Sequence, residues 1–350
     1  MPIAQPSYLT PEEFDGELLG GILDETLPRH RRILDWVDVD ADNDEEIEME
    51  VLVQSADEAA PITGFGDRTP FTKGLEIETI KVEPYHIKIG YPFPLKSKHL
   101  EKRANRTIAI SDEGVRLGMA NLEERRVKRH LAAVMAMLNT KAFTYTGNGL
   151  VISVPYDSWI GDLDAPAQVG GVLENYVALN DEVDAKPASA IEIMRGQFES
   201  RTGQAPTLAW ISPQTAATFK ELPDVKKHLE KQSPSDPDDR SESYERFFFN
   251  GIWFEVLRHS YKDGGVLKQP LPEGLAVVTV QSVDDRGGSN PIIMNKARNK
   301  LNNMDATTPT YEVFQTSKNP VSGGLGGYDN ALPSPARENI IQHWQMYPTP

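Results

Sequence analysis

A chain of 350 residues has room for about two domains. Its 52 acidic and 36 basic side chains leave a net charge of −16, which argues against sequence-independent binding to nucleic acid and against an anionic membrane surface. With no cysteine there is no disulfide framework, thiolate zinc site or cysteine nucleophile, so any metal falls to the seven histidines and the carboxylates.

Residues 1–46 read as an arm rather than a domain. Met1 to Phe14 has neither the basic nor the apolar region of a signal peptide, and no apolar run approaches ~18 residues, so a soluble protein made in a cytoplasm is expected. Pro2, Pro6, Pro11 and Pro28 punctuate the segment around one short amphipathic piece, Glu12–Glu25. An acidic block follows from Asp35 to Glu46. Asp40, Asp42 and Asp44 have calcium-loop spacing, but Glu45 stands where such a loop needs glycine and Val51 where it needs glutamate. A solvated acidic turn is expected instead.

From Ile47 the period becomes that of a strand: Ile47, Met49, Val51 and Val53 alternate with Glu48 and Glu50. After a Gly/Pro-rich stretch from Pro61 to Gly74, alternation returns through Leu75, Ile77 and Ile80, and again at Tyr85, Ile87 and Ile89. This predicts one long two-stranded hairpin over 47–95. Two strands with so little to bury are not stable alone, so the hairpin is expected to lie across another subunit. Gly64-Phe65-Gly66 is no phosphate loop, because no Gly-Lys-Ser/Thr follows it. A basic linker carries Lys96, Lys98, Lys102, Arg103 and Arg106.

The stretch 111–143 predicts a spine helix of roughly 33 residues and ~50 Å. Ser111 is the expected N-cap, with Asp112 and Glu113 in the first turn. Val115, Met119, Leu122, Val127, Leu131, Val134 and Leu138 form one apolar stripe, opposite Arg116, Glu123, Glu124, Arg125, Lys128 and Arg129. Such a helix is a strut, packed on one face and wet or docked on the other. Thr144–Val154 then reads as a hairpin turning at Gly147-Asn148-Gly149.

Residues 181–327 have α/β texture. Pro187 opens a helix that should bury Ile191, Met194 and Phe198 and stop near Gly203. Thr207–Ile211 is a short apolar strand, Ser212-Pro213 caps a helix to Leu222, and Pro223 restarts the chain into Val225–Lys231. Asn250-Gly251 marks a hairpin, Leu275–Val280 a buried strand, and Ser322–Gly327 a flexible joint. Ala336–Tyr347 is expected to return as a strand carrying Ile340, Ile341, Trp344 and Met346.

Nothing in this order carries catalytic chemistry. The histidines are scattered without an H-x-x-x-H pair, and there is no G-x-S-x-G. Asp38, Asp40 and Asp42 read as a solvated face rather than a metal pair. His130 reads as a boundary or interface residue, and Trp159, Trp210, Trp253 and Trp344 as core. No catalytic residue, cofactor or metal is expected.

The order of arm, long hairpin, basic linker, spine helix, hairpin, α/β lobe and late returning strand resembles the major capsid protein of tailed bacteriophages, of the α+β Hong Kong 97 fold. The lambda-type subgroup is suggested by Leu208-Ala209-Trp210-Ile211-Ser212-Pro213 with Phe219-Lys220 and Val225-Lys226-Lys227. Tyr261-Lys262-Asp263-Gly264-Gly265 with Leu271-Pro272-Glu273, and Pro335-Ala336-Arg337-Glu338, add to it.

The resemblance implies an N-arm over 1–46, an extended hairpin over 47–95, a peripheral domain over 96–180 holding the spine helix, an axial domain over 181–327, and 328–350 as a return strand to the peripheral domain. It implies a non-enzymatic virion protein, assembled in a host cytoplasm as pentamers and hexamers into an icosahedral shell around double-stranded DNA. The DNA would be held only by loose non-specific contact, which a charge of −16 suits. Phe65 and Phe71 are then candidate inter-subunit anchors, and Lys98, Arg103 and Arg106 candidate junction residues facing acidic arms. A separate scaffolding protein is expected because only a short arm precedes Ile47, with a portal and a decoration or cement protein as further candidate partners. The alternatives are an encapsulin-type compartment shell and an α+β enzyme.

Overall fold

The computed structural model describes residues 36–41, 47–53, 76–82, 87–93, 100–102, 108–110, 112–147, 150–164, 179–181, 185–231, 245–258, 261–263, 266–268, 271–282, 290–296, 310–318, 321–329 and 331–347. The first strands are β1 (Val37–Ala41), β2 (Ile47–Val53), β3 (Glu76–Val82), β4 (Ile87–Phe93), β5 (Leu100–Lys102) and β6 (Ile108–Ile110). Helix α1 (Asp112–Thr140) leads to β7 (Ala142–Gly147), β8 (Leu150–Pro155) and β9 (Gly161–Leu163). Next come α2 (Pro187–Thr202), β10 (Leu208–Ile211), α3 (Pro213–Glu221), α4 (Pro223–Lys231), β11 (Glu245–Phe249) and β12 (Ile252–Val256). The chain continues through β13 (Tyr261–Asp263), β14 (Val266–Lys268), β15 (Leu275–Thr279) and β16 (Ile292–Lys296). It closes with β17 (Thr310–Lys318), β18 (Val321–Asp329), β19 (Ala331–Pro335) and β20 (Gln342–Gln345).

The largest sheet has six strands in the order β11-β12-β10-β15-β20-β9. Its middle strands, Leu-Ala-Trp-Ile and Leu-Ala-Val-Val-Thr, are buried at every position. Continuous rather than alternating burial means that both faces are covered. The helices around it begin and end as their sequence dictates. Pro187 sits in the first turn of α2, and Gly203 ends it at φ 69°, its N–H donating to the Glu199 carbonyl. The Ser212 hydroxyl accepts from the N–H of Thr215 at 3.2 Å and caps α3. Asn250 (φ 47°) and Gly251 (φ 85°) form the tight turn that the β11–β12 hairpin needs.

The spine departs from a single apolar stripe. In its N-terminal half Leu122 and Val127 are buried, Arg125 and Lys128 are exposed, and Glu124 pairs with Lys128 as their spacing predicts. From His130 to Met135, and again at Met137 and Leu138, burial runs around the helix. The cause is tertiary: β4, β18 and β19 pack against α1, and so does β7. His130, only 6% exposed, lies in the interior rather than at a boundary, with Arg126 Nη1 3.5 Å from its Nε2.

Three further readings change. Strands β2 and β3 pair antiparallel from Ile47–Val82 to Val53–Glu76, but β4 leaves the hairpin and joins β18. Ser322–Gly327 is not a joint; it lies inside β18, the central strand of the sheet β17-β18-β4. Its glycines bring little side-chain bulk, which lets this strand lie close to α1 while both edges are hydrogen-bonded. The last segment divides: β19 pairs with β16 beside α1, residues 336–341 turn, and β20 enters the six-stranded sheet.

The base of the β2–β3 hairpin is not free of its own subunit. Met49 is fully buried, and Ile80 and Val82 pack on the same core. Likewise β1 pairs parallel with β16, and Asp38 accepts from the backbone N–H of Asn290 at 2.6 Å and from its side-chain amide at 2.9 Å. That part of the acidic block is therefore bonded rather than simply solvated.

Candidate functional site

Phe65, Phe71, Lys98, Arg103 and Arg106 all lie outside the described residues. What the structure does assemble is a hub between β8 and β9, in the turn Tyr156 to Asp162. The N–H groups of Trp159 and Ile160 both donate to the Tyr156 carbonyl at 2.9 Å. Tyr156 and Trp159 are fully buried, their rings 6.1 Å apart.

Five other parts of the chain bond to this turn, among them Arg201 of α2, whose guanidinium donates to the Asp162 carbonyl. At the end of α1, Lys141 has φ 50°, its N–H donates to the Met137 carbonyl, and its own carbonyl accepts from Tyr156 N–H at 2.8 Å. Its ammonium, at the edge of the core, meets Asp162 at 2.6 Å. The Tyr156 hydroxyl donates to the Pro333 carbonyl of β19 at 2.7 Å. Asn339, at φ 57°, donates its N–H to the Trp159 carbonyl at 2.8 Å, and Gly161 N–H donates to the Ile341 carbonyl. The Trp159 indole donates to Glu78 of β3 at 2.6 Å.

A side chain at position 161 would crowd this turn: a Cβ there would stand 2.7 Å from Asn339 Oδ1, so that amide would have to shift.

Two titrating groups sit beside the hub. Burial, followed by the nearby Glu78 charge, raises the Glu338 carboxyl above its usual range, with Asn339 acting weakly the other way. His343 donates from Nε2 to the Leu138 carbonyl at 2.7 Å. Burial, then the Lys141 charge, lowers its pKa.

A second polar node ties the start of the described chain to the six-stranded sheet. Glu255, 3% exposed, accepts from the indoles of Trp36 at 3.0 Å and Trp210 at 3.2 Å. The Arg246 guanidinium lies 3.8 Å from its other oxygen and 4.3 Å above the Trp253 ring. A carboxylate in the apolar strand Ile-Trp-Phe-Glu-Val was the available signal for this node, because a buried charge needs partners. Glu78, Glu338 and Asn339 offered no such signal, since the fold alone brings them together. Of the four expected core tryptophans, Trp159, Trp210 and Trp344 are fully buried and Trp253 is half-buried.

Among the described residues no group of His, Asp and Glu gathers as a metal site, and no helix is long and apolar enough to cross a membrane.

The sequence matches no family model and no curated protein. The structure is similar to the proposed capsid protein of an E. coli CFT073 prophage, with a TM-score of 0.62 at 10% identity over 94% of this chain and 96% of that one. It is also similar to a phage-related protein from Bordetella bronchiseptica RB50, with a TM-score of 0.55 at 9% identity over 94% and 96%. Identities this low speak to the fold alone. The chain has the α+β, Hong Kong 97-type fold of phage capsid proteins.

Proposed function

We propose that this chain is the major capsid subunit of a tailed phage, closing as pentamers and hexamers into an icosahedral shell around double-stranded DNA. The observation that carries this reading is the end-to-end likeness to the prophage protein, 94% of one chain on 96% of the other. The subunit divides into an arm (1–46), an extended hairpin (47–95), a peripheral domain (96–180 with 328–350) and an axial domain (181–327). Strands β9 and β20 stitch the two domains together. Phe65 and Phe71 anchor the hairpin on a neighbour, and Lys98, Arg103 and Arg106 meet acidic segments at subunit junctions. The partners are other copies of this chain, a separate scaffolding protein, a portal and a decoration protein. The net charge of −16 suits a lining that lets DNA slide.

Electron microscopy of the chain co-expressed with its scaffolding protein tests this. Closed shells built of pentamers and hexamers are expected. A small discrete oligomer by sizing chromatography, with no shells under any assembly condition, would overturn it. Shells formed by the chain alone around a protein cargo would move the assignment to an encapsulin-type compartment.

A further inference from the structure

Strand β16 has one edge taken by β19 and the other by β1, from Val37–Ile292 to Ala41–Lys296. The seat that β1 fills is built without it. β19 pairs with β16 along its whole length, and Glu255 stands in β12, between β11 and β10, where the Trp210 indole donates to it. Three groups of the seat meet the segment that lies in it. The Glu255 carboxylate, 3% exposed, takes the Trp36 indole N–H at 3.0 Å. The Asn290 backbone N–H and side-chain amide both donate to the Asp38 carboxylate, at 2.6 and 2.9 Å. Val37, between them, packs on the core. Beyond Asp38 the hold is slight: Val39 is 59% exposed, and Asp40 is exposed as well.

These contacts select a guest by its chemistry. A buried carboxylate calls for a donor, and two amide N–H groups call for an acceptor. An extended peptide with an indole and, two residues on, a carboxylate meets both demands while its backbone extends the sheet. Of the five tryptophans in this chain, only Trp36 has an aspartate two residues after it. The partners of Trp36 and Asp38 lie 219 and 252 positions away, so no tight turn enforces the pairing.

The geometry points to a strand socket: the edge of β16, with Asn290 and Glu255, is a binding site for an extended Trp-x-Asp segment. In a lone subunit residues 36–41 fill it; between adjoining copies the same segment of a second copy does. A strand that leaves one socket for an identical one loses no contact, so the exchange is decided by the joint and by local concentration. That joint is Asp42-Asn43-Asp44-Glu45-Glu46, which spans at most roughly 20 Å and so restricts the exchange to a copy lying alongside. The role between copies rests on the capsid reading, in which subunits pack side by side; the socket itself does not.

The absence of cysteine makes the exchange directly readable. Asp38→Cys and Asn290→Cys are made in separate full-length chains, each keeping the Trp36–Glu255 bond, and the two are mixed and oxidised. Neither chain can form a 38–290 disulfide by itself, so that link, identified by mass spectrometry, reports a strand in another copy's socket. It should exceed the 38–38 and 290–290 links, which random collision produces as readily. The link is read in concentrated solution and again after assembly. Its absence from both overturns the exchange, and its presence in a chain that never forms shells would sink the capsid reading alone. The socket is tested on the free chain with a fluorescein-labelled peptide of residues 33–42. The double substitution Trp36→Ala, Asp38→Ala weakens the internal competitor. The peptide should then bind at least about tenfold more tightly than it binds wild type, because its affinity scales with the fraction of empty sockets. A peptide with Trp36→Ala leaves the protein untouched and should bind about tenfold more weakly or worse. Equal binding of the two peptides, or no binding to a doubly substituted chain with wild-type circular dichroism, overturns the socket.

Discussion

The indole of Trp159 and the carboxylate of Glu78 are 81 positions apart in sequence and 2.6 Å apart in space. One partner is fully buried and the other lies on an exposed strand of the hairpin. This bond links the hairpin to the body. Trp159→Phe keeps most of the ring and removes the donor. Because Glu78 is exposed, water replaces the lost partner at about 1 kcal/mol, and the cavity left by the smaller ring at this fully buried position adds about 1 kcal/mol or more. The expected outcome is a moderately lowered melting temperature, with amide exchange accelerated more in 47–53 and 76–82 than in α2. Equal loss of protection in α2 would show the bond to be an ordinary core contact.

Glu255 should be far more costly to remove. Glu255→Ala leaves the Trp36 and Trp210 indoles and the Arg246 guanidinium beside an empty buried position. Stranding buried donors costs about 1–3 kcal/mol apiece, and breaking a buried charged contact about 3–5 kcal/mol. Glu255→Gln retains an acceptor oxygen and should lose less than half as much. Denaturant melts of the two variants decide the point. Equal losses would mean that side-chain volume, not hydrogen bonding, is what position 255 supplies.

Acid should weaken the fold through His343. Its folded-state pKa lies below 6.5, because burial and then Lys141 disfavour the charged ring. Between that lowered value and 6.5 the unfolded chain binds the extra proton, so this contribution is complete above 6.5 and is lost as pH falls below it. His343→Asn, which can still donate to the Leu138 carbonyl, should flatten the melting-temperature profile below pH ~6.5. An unchanged acid slope would assign the effect to other groups. Glu338 works in the opposite direction, since its raised pKa withdraws stability as pH rises.

Phe65 and Phe71 carry the assembly side of the proposal. Burying one phenylalanine is worth about 1.5–3 kcal/mol, so two such contacts are enough to decide subunit capture. The double substitution Phe65→Ser, Phe71→Ser should leave circular dichroism and the thermal melt of the subunit intact while abolishing shells. Wild-type yields of shells from the double variant would remove both residues from the interface.

Local patterns in the sequence were enough for most elements. Pro187 with Gly203, Ser212 with Pro213, and Asn250-Gly251 each act within a few residues, so their helix ends and turn could be read directly. The apolar runs at 208–211 and 275–279 were legible as buried strands because continuous hydrophobicity needs no partner to be noticed. The ordered series of elements also suggested the fold, although each motif was short.

Partnership was not legible. Ser322–Gly327 looked like a joint because glycine has little local preference for a strand; pairing with β17 and β4 on both edges made it one. Tyr85–Ile89 looked like part of a hairpin whose return strand ends at Val82 in the structure, and strand alternation carries no information about which neighbour a strand selects. His130 and most of the spine from Leu131 to Leu138 are enclosed because distant strands converge there. The hub depends most heavily on tertiary structure. Lys141, Trp159, Glu78 and Asn339 come from four separated segments, and no local periodicity links them. Sequence by itself determined the elements and their caps, whose energies are set within a turn or two of chain. Only the packed structure decided which distant residues meet, because that depends on closing loops of many tens of residues around a shared core.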